Sequence, residues 1–205
     1  MSPAPSEGVA ISNAGNLENL CYDYKPQSGS SKAQWVKEYD SWYYWNPGNI
    51  ASLGWQAIGG RWYFFSPDFY AGEFGDDIYP GMMLTGWWNI DGKWYYLNPA
   101  GDMATGWKQV GGAWYYLNPG GDMATGWKQI SGKWYFLSPS GAMATGWKQV
   151  GGTWYFFASG GNMHTGWLQQ GSEWYYLKSS GAMATGTQVI GGRTYVFNSS
   201  GVWIR

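Results

Sequence analysis

The 205-residue chain has few of the groups from which catalytic and metal centres are built. It holds one cysteine, Cys21, and one histidine, His164. A lone thiol excludes an internal disulfide framework, and with one imidazole it falls short of a structural zinc site. Charge is sparse and balanced, 12 Lys+Arg against 13 Asp+Glu. The basic footprint of a duplex nucleic-acid binder is therefore missing, as is the positive groove that single strands need beside their aromatic platforms. No run of about 18 apolar residues occurs, so nothing reads as a membrane span. The opening "MSPAPSEGVAISNAG" has neither the basic nor the apolar part of a secretory signal. A cytoplasmic protein and one whose signal was replaced by a start Met would both begin this way. No nucleophile elbow, phosphate loop or metal-ligand spacing is present, which argues against an enzyme, and no cofactor is implied.

What is abundant is aromatic and glycine: 17 Trp, 17 Tyr and 33 Gly. Trp and Tyr have a polar tip and suit half-buried, wet surfaces better than a dry core. Their positions repeat. Trp pairs seven residues apart occur at Trp35/Trp42, Trp55/Trp62, Trp87/Trp94, Trp107/Trp114, Trp127/Trp134, Trp147/Trp154 and Trp167/Trp174. Thr187 and Thr194 keep the spacing in an eighth unit. The step between units is 20 residues, except for 32 from Trp55 to Trp87. A fixed period of this length signals a repeat array.

Each unit reads as a β-hairpin. In "GWKQVGGAWYYL", Gly111-Gly112 supplies the positive φ of a two-residue turn. That turn sets Gln109 opposite Trp114 and Trp107 opposite Tyr116. Side chains alternate across a strand, so Trp107, Gln109, Trp114 and Tyr116 share a front face. Lys108, Val110, Ala113, Tyr115 and Leu117 share the back, and a three-residue loop would shift this register. Between hairpins, segments such as "NPAGDMATG" begin with a turn and carry one Met at a fixed place: Met83, Met103, Met123, Met143, Met163 and Met183. Trp203 takes the matching place at the end. An isolated hairpin is marginal in water, so the units must stack. The Tyr115/Leu117 face, together with the Met, is the expected seam.

Two regions depart from the repeat. Residues 1–34 are rich in Ser, Gly, Pro and Asn and read as a cap or the stub of a linker, with Cys21 unpaired. Residues 68–83, "DFYAGEFGDDIYPGMM", contain the 12-residue excess and gather Glu73, Asp76 and Asp77 on an expected solvated loop. A calcium site, a carboxylate pair and partner recognition are the other readings of that loop. His164 replaces the Ala of "MATG" in one unit and reads as a surface substitution.

Two Trp on one face, joined by an aromatic from the next hairpin, form a box without a carboxylate. Such a box suits a quaternary ammonium, which donates no hydrogen bond and gains about 0.5–2 kcal/mol from each ring. One box binds weakly. Several on one chain raise the avidity for a polymer by about 10²–10⁴.

The unit "TGWKQVGGAWYYLNPGGDMA", with its "GW", "WYY" and "MATG" blocks, resembles the choline-binding, or cell-wall-binding, repeat of Gram-positive and phage surface proteins and wall hydrolases. The resemblance covers 35–205. It implies an all-β solenoid of about eight hairpins wound as a left-handed superhelix. It also implies sites between successive repeats for the choline of phosphocholine-decorated teichoic and lipoteichoic acids, and hence a cell-wall, extracellular location. Carried over by position, the boxes are Trp87/Trp94 with Tyr116, Trp107/Trp114 with Phe136, Trp127/Trp134 with Phe156, and Trp147/Trp154 with Tyr176. Trp167/Trp174 with Phe197 and Trp35/Trp42 with Phe64 follow, while the insertion divides Trp55/Trp62 from Tyr96. Met103, Met123, Met143 and Met163 are candidates for a fourth wall as well as for the seam.

Three other readings stand beside this one. The Trp pairs would serve only to hold hairpins together, as cross-strand aromatics do. Alternatively the array binds a glucan or a host receptor, as similar aromatic repeats do, with Gln109, Gln129 and Gln149 bonding sugar hydroxyls. A host protein or a second copy of the chain is a further partner left open.

Overall fold

The computed structural model describes residues 10–11, 31–38, 40–48, 50–70 and 77–205, the first two by backbone alone. Cys21, Glu73 and Asp76 lie outside them, as does most of the 1–34 segment. Among the described residues the protein is all-β, a succession of eight hairpins. The strand pairs are Gln34–Glu38 with Ser41–Asn46, Gly54–Ile58 with Arg61–Phe65, Gly86–Ile90 with Lys93–Leu97, and Gly106–Val110 with Ala113–Leu117. They continue as Gly126–Ile130 with Lys133–Leu137, Gly146–Val150 with Thr153–Phe157, Gly166–Gln170 with Glu173–Leu177, and Gly186–Ile190 with Arg193–Phe197.

The expected register holds. Trp127 faces Phe136, Gln129 faces Trp134, and Ile130 faces Lys133 across the two-residue turn Ser131-Gly132. Gly111 and Gly112 have φ of 57° and 83°, values an L side chain resists and a type I′ turn requires. The right-handed strand twist selects that turn, so its two residues set which side chains share a face.

The chain forms two compact units, residues 1–108 with 117–123, and residues 109–116 with 124–205. In the first unit Phe65, Leu97 and Leu117 are fully buried. In the second Leu137, Phe157 and Leu177 are fully buried and Phe197 nearly so. These are the last back-face residues of each hairpin, which bears out their place in the seam. Beyond each, the chain turns back: Gly101 donates to the Asn98 carbonyl at 2.7 Å, and Leu97 pairs with Met103. The Met then joins its hairpin to the one before, since the Met103 amide donates to the Trp62 carbonyl at 2.7 Å. Met163 does the same to Trp134 at 2.7 Å. A small residue completes each turn of the core, as with buried Ala104, Ala144 and Ala184.

The first unit has two additions. Ala10–Ile11 pairs in parallel with the strand at Gly86–Ile90. The ends of the 68–83 insertion close on themselves, Tyr70 and Ile78 exchanging backbone hydrogen bonds at 2.8 and 2.9 Å. Tyr70 and Ile78 pack against a core of Phe64, Leu84, Trp88, Ile90 and Leu97. The expected solvated loop is therefore corrected at its ends: Tyr70 and Ile78 are apolar enough to be drawn onto Trp88.

Candidate functional site

The first hairpin shows how a site is assembled. Its register puts Trp35 and Trp42 on one face, with ring centroids 6.4 Å apart and planes at 85°. Tyr63 of the second hairpin stands 5.0 Å from Trp35 at 66°. The Met83 amide donates to the Trp42 carbonyl at 2.7 Å and brings that residue alongside. Trp35, Trp42, Tyr63 and Met83, with Pro99 and Ala100, line an open cavity of about 310 Å³. None of these lining residues is charged. Trp42 is 42% exposed, so ring surface is presented to solvent rather than consumed in packing.

The third ring is not the one expected. Phe64 is buried and pairs with Trp55 of its own hairpin at 5.0 Å. Neighbours on a strand point to opposite faces. Tyr63 is thus on the back of the second hairpin, opposite its Trp55 and Trp62. Hairpins added by a repeated step meet front to back, so the wall for one Trp pair comes from the back of the next hairpin.

The second unit repeats the arrangement. Trp127 lies 6.4 Å from Trp134 and 4.8 Å from Tyr155, whereas Phe156 pairs with Trp147 at 5.3 Å. Trp147 meets Tyr175 at 4.9 Å, whereas Tyr176 pairs with Trp167 at 5.3 Å. Trp167 has Trp174 at 6.3 Å and Tyr195 at 4.9 Å, and Trp203 adds a fourth ring at 5.8 Å. Phe197 also touches Trp167, at 5.8 Å, but as part of the buried floor. In the first unit Trp55 meets Tyr95 at 4.9 Å, so the insertion leaves that pairing in place, and Tyr96 stays with Trp87 at 5.1 Å. The groupings of Trp87/Trp94 with Tyr116 and of Trp107/Trp114 with Phe136 take residues from both units. Phe136 pairs with Trp127 at 5.3 Å, and the amides of Met123 and Met143 reach the carbonyls of Trp94 and Trp114 at 2.7 Å.

The expected box of Trp147, Trp154 and Tyr176 needs correction at Trp154 as well as at its third ring. The Trp154 indole is 42% exposed and, unlike Trp42, Trp134 and Trp174, is not in ring contact with the first Trp of its own hairpin. Register still puts it on the front face, opposite Gln149 and one diagonal step from Trp147, and its carbonyl accepts the Met183 amide at 2.8 Å. Diagonal partners lie roughly 7–8 Å apart along the backbone, so the side-chain rotamer decides whether their rings meet. Trp62, 48% exposed, stands away from Trp55 in the same manner. These two boxes are therefore open on one side, with Trp147–Tyr175 and Trp55–Tyr95 as their formed corners.

Several polar side chains near the rings already have partners. The Lys108 ammonium sits 5.3 Å from the centre of the Tyr96 ring, and Lys128 sits 6.0 Å from that of Tyr116. Gln149 donates its amide to the Gly152 carbonyl of its own turn at 3.1 Å. The methionines pack into the seam between connecting turns. Met83 lines the cavity, and its sulfur lies against Gly101 of the next connecting turn, as Met143 lies against Gly161 and Met163 against Gly181. His164 is half-buried, not on the open surface, because it fills the place of a core Ala. Its ring is 6.2 Å from Phe156 and its Nε2–H donates to the Trp167 carbonyl at 3.0 Å.

Two wall tyrosines hold their protons more tightly than usual. Burial raises the Tyr95 phenol, with Asp122 and Asp91 adding to it. A 2.6 Å hydrogen bond to the Glu173 carboxylate is the main cause at Tyr175, followed by burial and that carboxylate's charge. These two walls are therefore neutral rings at physiological pH.

Sequence reasoning missed Tyr63, Tyr95, Tyr155, Tyr175 and Tyr195. A signal was present: the residue after the second Trp (or its Thr replacement) is Tyr in all eight hairpins, whereas the next residue varies among Tyr, Phe and Val.

The fold and its aromatic clusters define a class of protein, a β-hairpin repeat that groups rings between successive hairpins. Choline-binding repeats match residues 84–125, 104–146 and 144–187, and a putative cell wall binding repeat matches 54–68. The chain belongs to the choline-binding repeat family. Among solved structures it is similar to CbpJ from Streptococcus pneumoniae TIGR4, with 38% identity, a TM-score of 0.74, and coverage of 84% of this chain and 64% of that one. Choline binding protein F from Streptococcus pneumoniae shares 42% identity at a TM-score of 0.72, covering 85% of this chain and 58% of that one. The modular autolysin LytC from Streptococcus pneumoniae shares 29% at a TM-score of 0.53, covering 85% and 42%. The chain thus spans less than two thirds of the length of each. No curated protein sequence matches it. Among the described residues no helix is long and apolar enough to cross a membrane.

Proposed function

We propose that this chain is a non-catalytic attachment module that holds choline head groups of phosphocholine-decorated teichoic and lipoteichoic acids, outside the cell and on its wall. Each site consists of two Trp from one hairpin and the back-face Tyr of the next, with Met or Trp203 beside them. The sites are Trp35/Trp42/Tyr63, Trp55/Trp62/Tyr95, Trp127/Trp134/Tyr155, Trp147/Trp154/Tyr175 and Trp167/Trp174/Tyr195. Trp62 and Trp154 complete theirs by turning the indole inward over the bound cation. Trp87/Trp94 and Trp107/Trp114 supply the same pair in the remaining repeats.

The observation that carries this reading is the uncharged 310 Å³ cavity walled by three rings. A trimethylammonium group has no N–H to satisfy, so a cage of ring faces and a thioether suits it, while a hydrated ammonium would lose hydrogen bonds there. The Gln149 amide, bonded to its own turn, weakens the glucan reading. Choline binding protein F has been crystallised in the presence of a peptidoglycan analogue and, by soaking, in complex with ipratropium.

The test is a choline titration followed by Trp fluorescence and thermal stability, with dextran in parallel. Choline at tens of millimolar is expected to quench or shift the emission and raise the melting temperature, and dextran to do neither. A flat response to choline, or a response to dextran alone, would overturn the proposal.

A further inference from the structure

The wall tyrosine of each cage has a neighbour on its own strand and face, the residue two places before it. That neighbour changes charge from cage to cage while the rings do not: Arg61 precedes Tyr63, Thr153 precedes Tyr155 and Glu173 precedes Tyr175. Register puts Arg61 opposite Ile58 and Tyr63 opposite Gln56, so both point from the back of the second hairpin. Glu173 shows that a side chain in this place reaches the wall. Its Oε2 accepts the Tyr175 hydroxyl at 2.6 Å, and that ring stands 4.9 Å from Trp147. Arg61 is tied to the mouth of the cavity at Trp35/Trp42. Its Nη1 lies 4.0 Å from Oδ2 of Asp102, in the connecting turn whose Pro99 and Ala100 line that space. Asp102 Oδ2 also accepts the Asn98 side-chain amide at 3.1 Å, and its backbone pairs with Tyr63. The Arg61 side chain is 66% exposed, so the contact with Asp102 leaves most of its five N–H donors to solvent.

We propose that this neighbour sets which form of the head group a cage prefers: Arg61 adds a phosphate subsite to the Trp35/Trp42/Tyr63 cage, and Glu173 biases the Trp147/Trp154/Tyr175 cage against phosphate. The inference rests on reading the cages as choline sites and concerns what is attached to the choline. In phosphocholine the phosphate follows the quaternary nitrogen by two methylenes and an ester oxygen, so a head group held among the rings carries its anion to the rim. There Arg61 meets it with a planar fork of donors matched to phosphate oxygens. At Glu173 two anions approach one another, which favours the bare cation over its phosphate ester. Thr153 brings no charge, and its cage at Trp127/Trp134 falls between the two.

The test uses the full chain labelled with 5-fluorotryptophan, the resonances being assigned from Trp42→Phe, Trp134→Phe and Trp147→Phe. Choline and phosphocholine are titrated at matched ionic strength and observed by fluorine NMR, and the preference of each cage is the ratio of its two affinities. Phosphocholine is expected to be favoured about fivefold at Trp42 and disfavoured about fivefold at Trp147, as one water-screened charge contact implies, with near parity at Trp134. Arg61→Gln and Glu173→Gln should each bring the ratio at its own cage back toward that of Trp134 and leave the ratio at the other cage alone. Added NaCl should move both ratios toward parity. Equal ratios at Trp42 and Trp147, or ratios unmoved by the two substitutions, would overturn the inference. If choline moves all three resonances but the ratios are equal, only the role of the neighbour fails. If choline moves none of them, the cage reading itself fails.

Discussion

Tyr63 and Phe64 are adjacent, equally aromatic, and face opposite ways, so they should behave oppositely when replaced. Tyr63→Leu removes a ring from the cavity at Trp35/Trp42. It should weaken choline there by about threefold to thirtyfold, the worth of one cation–π contact, with little loss of stability. Phe64→Leu should lower stability, because Phe64 is 4% exposed within the core, and leave choline affinity nearly unchanged. A choline titration and a thermal melt of each variant separate the two effects. The tyrosine protons give a second prediction. Tyr95 and Tyr175 lie above the ordinary phenol value of 10.0, so the folded state binds their protons more tightly than the unfolded chain does. The stability this provides is complete below that value and is lost as pH rises through the higher folded values. Melting temperature should therefore fall from about pH 10 upward. Glu173→Ala removes the acceptor that is the main cause at Tyr175 and should move that phenol back toward its ordinary value in an ultraviolet titration of phenolate.

At the scale of the hairpin and its connecting turn, the methionine and a glycine of the following turn form a lock. A Cβ on Gly101 would run into the Met83 sulfur, at a φ of 83° that resists any side chain. Gly101→Ala should cost about 1–3 kcal/mol in a denaturant melt, through overpacking and backbone strain together. Leu137→Ala, in the buried column of the second unit, should cost about 2–5 kcal/mol by leaving a cavity. Hairpin boundaries, turn length and register were legible in the sequence because they depend on local chemistry: Gly-Gly or Ser-Gly at the turn and side chains alternating on either side. The burial of Leu97, Leu137 and Leu177 was legible for the same reason. The third wall was not. Whether Tyr155 or Phe156 meets Trp127 depends on which face of one hairpin touches the next, and a single unit holds no record of that contact. Nor does the shared face of Trp147 and Trp154 say whether their indoles touch, since register fixes the backbone and leaves the rotamer free.

For the chain as a whole, the proposed attachment rests on the repetition of weak sites. One cage with a few ring contacts binds in the millimolar range, whereas a polymer with many head groups engages several at once. A choline-bearing wall polymer should be retained with an apparent affinity about 10²-fold or more above that of free choline, and free choline in excess should release it. Surface-based binding with choline as competitor checks this. With a net charge of −1, bulk electrostatics contribute little, so salt should affect this retention only weakly.

The sequence by itself determined the repeat, its 20-residue step, the two faces of each hairpin and the family to which the chain belongs. Each of these follows from residues close together along the chain. Tertiary structure decided which faces meet. It put Tyr63, Tyr155 and Tyr175 into the cages and turned Phe64 and Phe156 back to their own hairpins. It left Trp154 out of ring contact with Trp147 and drew Tyr70 and Ile78 onto the core. The physical reason is that a front face buries its rings only against the back of its neighbour, so each cage described is a contact between two hairpins and no hairpin encodes one alone.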